Sequence, residues 1–198
     1  TGVVLSKAWK SRLEPQLGKL LVVSNPIEPS LEPPIEPRMK HSLLLLGRDD
    51  TVKGHDFAIE LSKHLRSAFP GLTLTLTGRN LAESDWIRAS GWVTEDEKLL
   101  LLQNSTVLLV PSEYEGQPMV VLEALACGLP VCVSDRLIDI PNGVEAAAYG
   151  DIEHWTRVVS GLLKSPPDAI TLLESSQPYR IESISKEWKR VYESVIVL

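Results

Sequence analysis

Two short apolar runs, TVLLVP at residues 106–111 and PVCVS at 130–134, stand on either side of SEYEGQPMVVLEALACGL. Runs of this length, bounded by turn residues, suit strands buried on both faces, the kind that parallel sheets contain. Parallel neighbours cannot be joined by a tight hairpin, so the segment between them has to cross over, usually as a helix. Its punctuation agrees. Pro118 suits the first helical position, where a missing N–H costs nothing, and Gly128 suits the left-handed residue just past the end. Pro130 prevents continuation. The stretch 106–135 therefore reads as strand, loop, short helix, strand, and it commits the chain to an α/β fold.

Such a unit has a chemical use. The helix start, around residues 117–120, presents free N–H groups and a partial positive charge, a setting that favours phosphate. Glu115 sits in the loop before it, and Glu123 lies further down the helix with its side chain tilted back toward the start. An ionised carboxylate only accepts hydrogen bonds, so it pairs well with the two hydroxyls of a vicinal diol. Diols flanking a diphosphate describe a nucleotide sugar. Spacing alone leaves open a blander reading, in which Glu115 is a surface loop residue and Glu123 a solvated helix residue.

The string SEYEGQPMVVLEALACGLPVCVSD resembles the donor-binding signature of the retaining, GT-B-fold glycosyltransferases of family 4. Those enzymes carry two glutamates at this spacing, followed by Ala-Met-Ala-Cys-Gly-Leu-Pro-Val or a near variant. The resemblance implies that Glu115 contacts the donor sugar and Glu123 the nucleotide ribose. Gly116, Gln117, Met119 and Val120 become donor contacts at the helix start. Many members carry Gly where this chain has Pro118, which has no N–H to give.

Taken in order, residues 1–24 read as strand (TGVVLS), helix (KAWKSRLEPQLG) and strand (KLLVVS), and they are followed by prolines at 26, 29, 33, 34 and 37. The proline-rich stretch should be extended and stiff, a solvated linker in which Glu28, Glu32 and Glu36 form no helical stripe. By the resemblance, residues 1–24 are the tail of an N-terminal, acceptor-side domain, 25–39 the linker, and 40–198 a nucleotide-sugar-binding domain. The strand LLLLG ends in Gly47, and the loop after it carries Arg48 and Lys53. In an arbitrary loop these are two solvated cations, but the family has Arg and a Lys-Gly pair here that bind the donor diphosphate.

GLTLTLT alternates enough to be a less deeply buried strand, and it ends in Gly78, Arg79 and Asn80 where the family often has Gly-x-Gly. IRASGWV is a short connecting strand, and Thr94 with Glu97 makes a capping box for the helix that follows. In the family the nucleobase lies beside this turn, which implies roles for the Val93 backbone and Lys98. Trp92 reads as a core residue, with stacking on a base as the alternative. Beyond Asp135 the resemblance thins, because RLIDIPNGVEAAAYGD lacks the family's glycine pair. A helix over 153–164 and a final helix over 183–197 close the chain, the last crossing toward the N-terminal domain. Trp188 with Tyr192, and Trp9 with Leu13, each share a helix face. Those faces predict that residues 1–24 pack on the last helix or against a second copy as a dimer, and stay out of the nucleotide cleft.

Composition narrows the rest. At 43% apolar, 23% charged and a net charge of −6, the chain is an ordinary globular one without the basic footprint of a nucleic-acid binder. Cys127 and Cys132 fit buried free thiols, which points to the cytoplasm, and the four histidines show no metal spacing. The expected fold is a Rossmann-like parallel sheet flanked by helices, the C-terminal half of a GT-B protein with a short remnant of the other half. The expected function is binding a UDP- or GDP-linked sugar for retaining hexosyl transfer to a glycan, lipid or other acceptor, with no cofactor and no metal. Arg48, Lys53 and Glu115 would act on the reacting groups, and the donor's own phosphate would take the acceptor's proton. The implied partners are the donor and the N-terminal domain, without which the chain should turn over little; the full-length form has room for peripheral association with the inner face of a membrane. The rival readings are a nucleotide-sugar epimerase of the same fold and a nucleotide-binding module without chemistry.

Overall fold

A computed structural model describes residues 2–82 and 84–196, with Ile196 described by its backbone alone. Two sheets are present. The first is small: β1 (Gly2–Val4) pairs in parallel with β2 (Leu20–Val22), and α1 (Lys7–Leu17) crosses between them. The second has six parallel strands in the order β5-β4-β3-β6-β7-β8. They are β3 (Ser42–Leu45), β4 (Thr73–Thr77), β5 (Ile87–Ser90), β6 (Val107–Val110), β7 (Val131–Ser134) and β8 (Glu145–Ala147). This is a doubly wound, Rossmann-like sheet. The unit read at 106–135 is β6, α4 (Met119–Ala126) and β7.

The helices divide between the two faces of the sheet. On one face, α2 (His55–Arg66) and α5 (Ile152–Lys164) bury Ala58, Leu61, Leu65, Trp155, Val159 and Leu162 against Leu43, Leu45, Leu74 and Leu76. On the other, α3 (Glu95–Asn104), α4 and α6 (Ala169–Ser176) pack over Leu44, Leu108, Val110, Val131 and Val133. Alternate residues of one strand thus enter opposite cores, which is why the central strands are apolar throughout. Each fully buried leucine contributes roughly 1.5–3 kcal/mol.

Several expectations need correction. β4 lies inside the sheet rather than near its surface: Leu74 and Leu76 are fully buried, and Thr75 and Thr77 are buried too. Its threonines mimic a solvated face while being covered on both sides. Pro118 is the N-cap of α4, with extended backbone angles, and not its first helical residue. The α6 helix and the edge strand β8 carry too little periodicity to stand out in sequence. The final helix, α7, spans Ile181–Ile196; residue 197, which the sequence reading included, lies outside the described residues.

The proline-rich stretch is no solvated linker. It is extended, as proline requires, but Ile27 and Leu31 are buried in the core beside α4 and α6. Ile27 also bridges to Arg180, whose side chain donates to the Leu31 carbonyl. Arg38 ends the stretch with a clamp. Its guanidinium donates to the carbonyls of Leu102, Gln103 and Ser105 at the end of α3, and to that of Cys127 at the end of α4. These are the carbonyls that a helix leaves without internal partners, and they carry its negative pole.

Burial draws Arg38 below the ordinary arginine pKa, with the neighbouring Cys127 opposing this. Burial also pushes the Cys127 thiol up to about 11, so it stays protonated and unreactive near neutrality. Among the described residues, no helix is long and apolar enough to cross a membrane.

Arg38→Ala should cost about 2–4 kcal/mol, because charged hydrogen bonds of about 1.5–3 kcal/mol each are lost together and the carbonyls regain only partial solvation. Urea unfolding of the altered and unaltered chains measures this. A loss under about 0.5 kcal/mol would mean that water replaces the guanidinium without cost.

Candidate functional site

The sheet order reverses between β3 and β6, and ligands of doubly wound sheets bind outside the carboxyl ends of the strands at such a point. A cleft of about 470 Å³ opens there. Its walls are the loop after β3, the turn before α3, and the start of α4, and they include Gly47, Arg48, Lys53, Val93 and Lys98. Glu115, Gln117, Met119 and Val120 complete the side formed by the β6–α4 loop. A larger hollow of about 850 Å³ lies between residues 6–24 and α7. Its charged lining is Lys7, Asp139, Glu174 and Glu187, which is net acidic and would repel a diphosphate.

Backbone contacts build the cleft from two loops. Asp50 caps a short turn at Thr51–Lys53 by accepting from the Val52 N–H, and the Glu113 N–H donates to the Val52 carbonyl. The loops after β3 and β6 are thereby joined, and Lys53 meets Glu115 with Nζ 2.6 Å from Oε1. The Ser112 hydroxyl donates to that same oxygen at 2.9 Å. Both partners are largely shielded, so this pair is worth more than an exposed one. Arg48 differs: its side chain is 68% exposed and, among the described residues, it pairs with Asp50 at 3.5 Å. It is the most exposed cation of this wall among the described residues.

On the opposite side, the capping box forms as its sequence predicts: Thr94 Oγ1 accepts from the Glu97 N–H, and the Glu97 carboxylate accepts from the Thr94 N–H. One turn on, Lys98 places Nζ 2.9 Å from Glu123 Oε1 and 2.5 Å from Glu95 Oε2. Burial works against its charge, but the bonds to Glu95 and Glu123 outweigh it and raise the lysine pKa. Glu123 does not form part of the cleft wall. It lies deeper, with its side chain 8% exposed, and its Oε2 is buried without a partner. A buried acceptor left unsatisfied costs about 1–3 kcal/mol, so this oxygen is a standing invitation to a donor.

The start of α4 has no side-chain cap, since Pro118 offers none. Pro118 also brings no N–H of its own, which leaves the amides of Met119 and Val120 as the positive end of the helix.

Gly78, at the end of β4, lets the two sides approach. Its φ is +75°, and an added Cβ would stand 2.2 Å from the Gly47 carbonyl oxygen and 2.5 Å from Arg48 Cα. Thr77 reinforces the crossing: its Oγ1 accepts from the Gly47 N–H at 3.0 Å. Asn80 does not fill the cleft. Its amide lies against Gly91, where an added Cβ would sit 3.2 Å from Oδ1. Among the described residues, no group of three or more His, Cys, Asp or Glu could hold a metal ion.

Residues 40–165 match the family model described as glycosyl transferases group 1, which is more than half of the chain. The chain belongs to this family. Over 177 residues it is 29% identical to the glycogen synthase of Mycobacterium tuberculosis, covering 78% of this chain and 42% of that protein. Over 128 residues it is 30% identical to the MMP alpha-(1->4)-mannosyltransferase of Mycolicibacterium hassiacum, covering 59% of this chain and 31% of that one. The chain spans less than half the length of the curated relatives it matches.

In fold it superimposes on the sucrose-phosphate synthase of Thermosynechococcus elongatus with a TM-score of 0.79 at 20% identity, covering 98% of this chain and 58% of that one. The pneumococcal O-GlcNAc transferase, solved in complex with UDP and GlcNAc, gives 0.79 at 18% identity, with 98% and 45% covered. These likenesses establish the GT-B, Rossmann-like architecture of this glycosyltransferase-family domain.

Ten of the sequence-predicted site residues sit on or beside one cleft: Gly47, Arg48, Lys53, Val93, Lys98, Glu115, Gly116, Gln117, Met119 and Val120. Glu123 is joined to it only through Lys98. Sequence reasoning missed Ser112, Thr77 and Glu95, whose roles depend on which loops meet. It also misplaced Trp92, which is 86% exposed on the cleft wall and not in the core. The glycine before it was the available signal, because a core tryptophan seldom follows a turn glycine at an edge strand's end.

Gly78→Ala should shift the Gly47–Arg48 backbone and cost about 1–3 kcal/mol or more, the sum of left-handed strain and a backbone clash. Thermal unfolding reads the stability loss. Amide chemical shifts of Gly47 and Arg48 unchanged from the unaltered chain would show that the crossing is not held there.

Proposed function

We propose that this chain is the donor-binding half of a retaining hexosyltransferase that holds a nucleoside-diphosphate sugar in the cleft between β3 and β6. One observation carries the reading: two lysine–glutamate pairs, Lys53–Glu115 and Lys98–Glu123, flank the uncapped start of α4 at the switch point of a group 1 glycosyltransferase domain. Arg48, Lys53 and the amides of Met119 and Val120 supply positive charge where a diphosphate would lie. Glu115 would accept from sugar hydroxyls, and Glu123, which meets the cleft wall through Lys98, would accept from the ribose diol.

In transfer, the bond between the anomeric carbon and the diphosphate breaks with its electron pair passing to phosphate oxygen. A bond forms from an acceptor hydroxyl to the same face of that carbon. The hydroxyl proton passes to the departing phosphate, so this half needs no general base. Arg48 and Lys53 stabilise the charge that develops on the leaving group, the service a divalent ion gives elsewhere. The acceptor would be gathered largely by an N-terminal domain to which residues 1–24 belong, and the chain without it would turn over little. Two buried free thiols fit a reducing, cytoplasmic setting. Full-length forms with lipid acceptors would work at a membrane surface.

Calorimetry tests the charge assignment. Arg48→Ala and Lys53→Ala should each weaken UDP or GDP by about 1.5–3 kcal/mol while changing the free nucleoside far less. Equal losses for both ligands would assign these residues to folding or to the base. The two glutamates should separate as well. Glu123→Gln should weaken the bare diphosphate and the nucleotide sugar alike, whereas Glu115→Gln should affect only the sugar-bearing ligand. Identical behaviour of the two would overturn the division of roles.

Trp92 offers an exposed indole face at the side of the cleft where a base would emerge. Stacking of a base on an aromatic ring is worth roughly 1–3 kcal/mol. Trp92→Ala should therefore weaken the nucleoside diphosphate about tenfold or more and leave inorganic pyrophosphate unaffected. Retention of full affinity would remove the tryptophan from the site.

A further inference from the structure

The sequence predicts that residues 1–24 pack on the final helix or against a second copy; among the described residues, 2–25 form no hydrogen bond to α7. They are bonded instead to the outer side of the loop that carries Glu115. Trp9 Nε1 donates to the Gly116 carbonyl at 2.8 Å, and its ring meets Tyr114 edge to face, with centroids 6.0 Å apart. The Asn25 N–H donates to Gln117 Oε1 at 2.8 Å, and Gln117 Nε2 reaches back to the Leu5 carbonyl at 3.5 Å. The start of α1 adds a fifth contact: Ser6 caps it, and the Ala8 N–H donates to Asp139 Oδ2 at 2.6 Å, beyond β7.

Tyr114, Gly116 and Gln117 are thus held from outside, while Glu115, between them, is turned inward to Lys53 and Ser112. The loop's other restraints act through Glu113, bonded to Val52 and Arg136, and through Glu115 itself. Gly116 lacks a side chain and has nothing around its Cα direction, and Pro118 cannot donate a backbone bond. From this we infer that Trp9 and Gln117 are positioning residues, through which the N-terminal unit sets where the Glu115 carboxylate stands. The inference rests on the reading that Glu115 holds the donor sugar. It adds that the first β-α-β unit acts on the sugar subsite directly and on the diphosphate subsite only through the Lys53–Glu115 pair. Arg48 and Lys53 sit on the β3 loop, which residues 1–25 do not touch through any of these bonds.

Trp9→Phe is the discriminating change, since it keeps the ring against Tyr114 and deletes only the N–H. Two measurements on the 198-residue chain read it. In the ligand-free chain, amide exchange at residues 115–117 should speed up about tenfold with no change in β6 or β7, as expected when one hydrogen bond is lost locally. In calorimetry with UDP-glucose and GDP-mannose against UDP and GDP, the sugar-bearing ligand should lose about tenfold while the bare diphosphate changes less than about twofold. Unchanged loop exchange overturns the inference, and so does an equal loss for both ligands. If Glu115→Gln fails to separate the two ligands, the sugar role of Glu115 falls first; if it separates them and Trp9→Phe does not, only the tether is wrong.

Discussion

The salt bridge between Lys53 and Glu115 joins the two halves of the domain at the point where the strand order reverses. It can form only because β3 and β6 are neighbours although a helix, two strands and a second helix separate them along the chain. Parallel order puts both carboxyl ends at the same edge, so the loops that leave them have to share space. Gly78 makes that sharing tolerable by letting the Gly47 backbone lie across it. Everything proposed for the cleft depends on this meeting of loops.

Charge is handled in pairs throughout the site. Lys53 is balanced by Glu115, and Lys98 by Glu95 and Glu123. A half-buried lysine without such a partner would lose charge to desolvation, and a half-buried carboxylate would gain a proton. Pairing offsets part of the desolvation cost of holding both charges beneath the surface. Arg48 stands apart as the exposed cation, and Glu123 Oε2 as the unpaired acceptor. Those two departures from balance are where the proposed donor, with a diphosphate at one end and a diol at the other, would find its partners.

The linker and the first β-α-β unit change the meaning of a domain boundary. Composition marks 25–39 as a spacer because proline dominates it. Yet Ile27 and Leu31 enter the core, and Arg38 ties the stretch to two helix ends. Proline forbids helix and ladder, but it does not forbid burial of the apolar residues between prolines. The segment before it is likewise engaged, on the loop of Glu115 and not on α7, where Trp188 and Tyr192 stay stacked on each other and partly or largely open to water.

What the sequence by itself determined is the local grammar. The apolar runs at 42–45, 107–110 and 131–134, the Thr94–Glu97 box, and Gly128 with its positive φ behave as their residues require, because neighbours along the chain decide these features. The likeness of residues 112–135 to a donor-binding signature singled out Glu115 and Glu123 as candidates. Tertiary structure alone decided which surfaces are covered. Thr75 and Thr77 are buried in a strand that has a neighbour on each side, Trp92 is open because its turn ends at the sheet edge, and Trp9 meets Gly116 across more than a hundred residues. Burial is a property of what arrives from elsewhere in the chain. No window of residues around Thr75, Trp92 or Trp9 contains it.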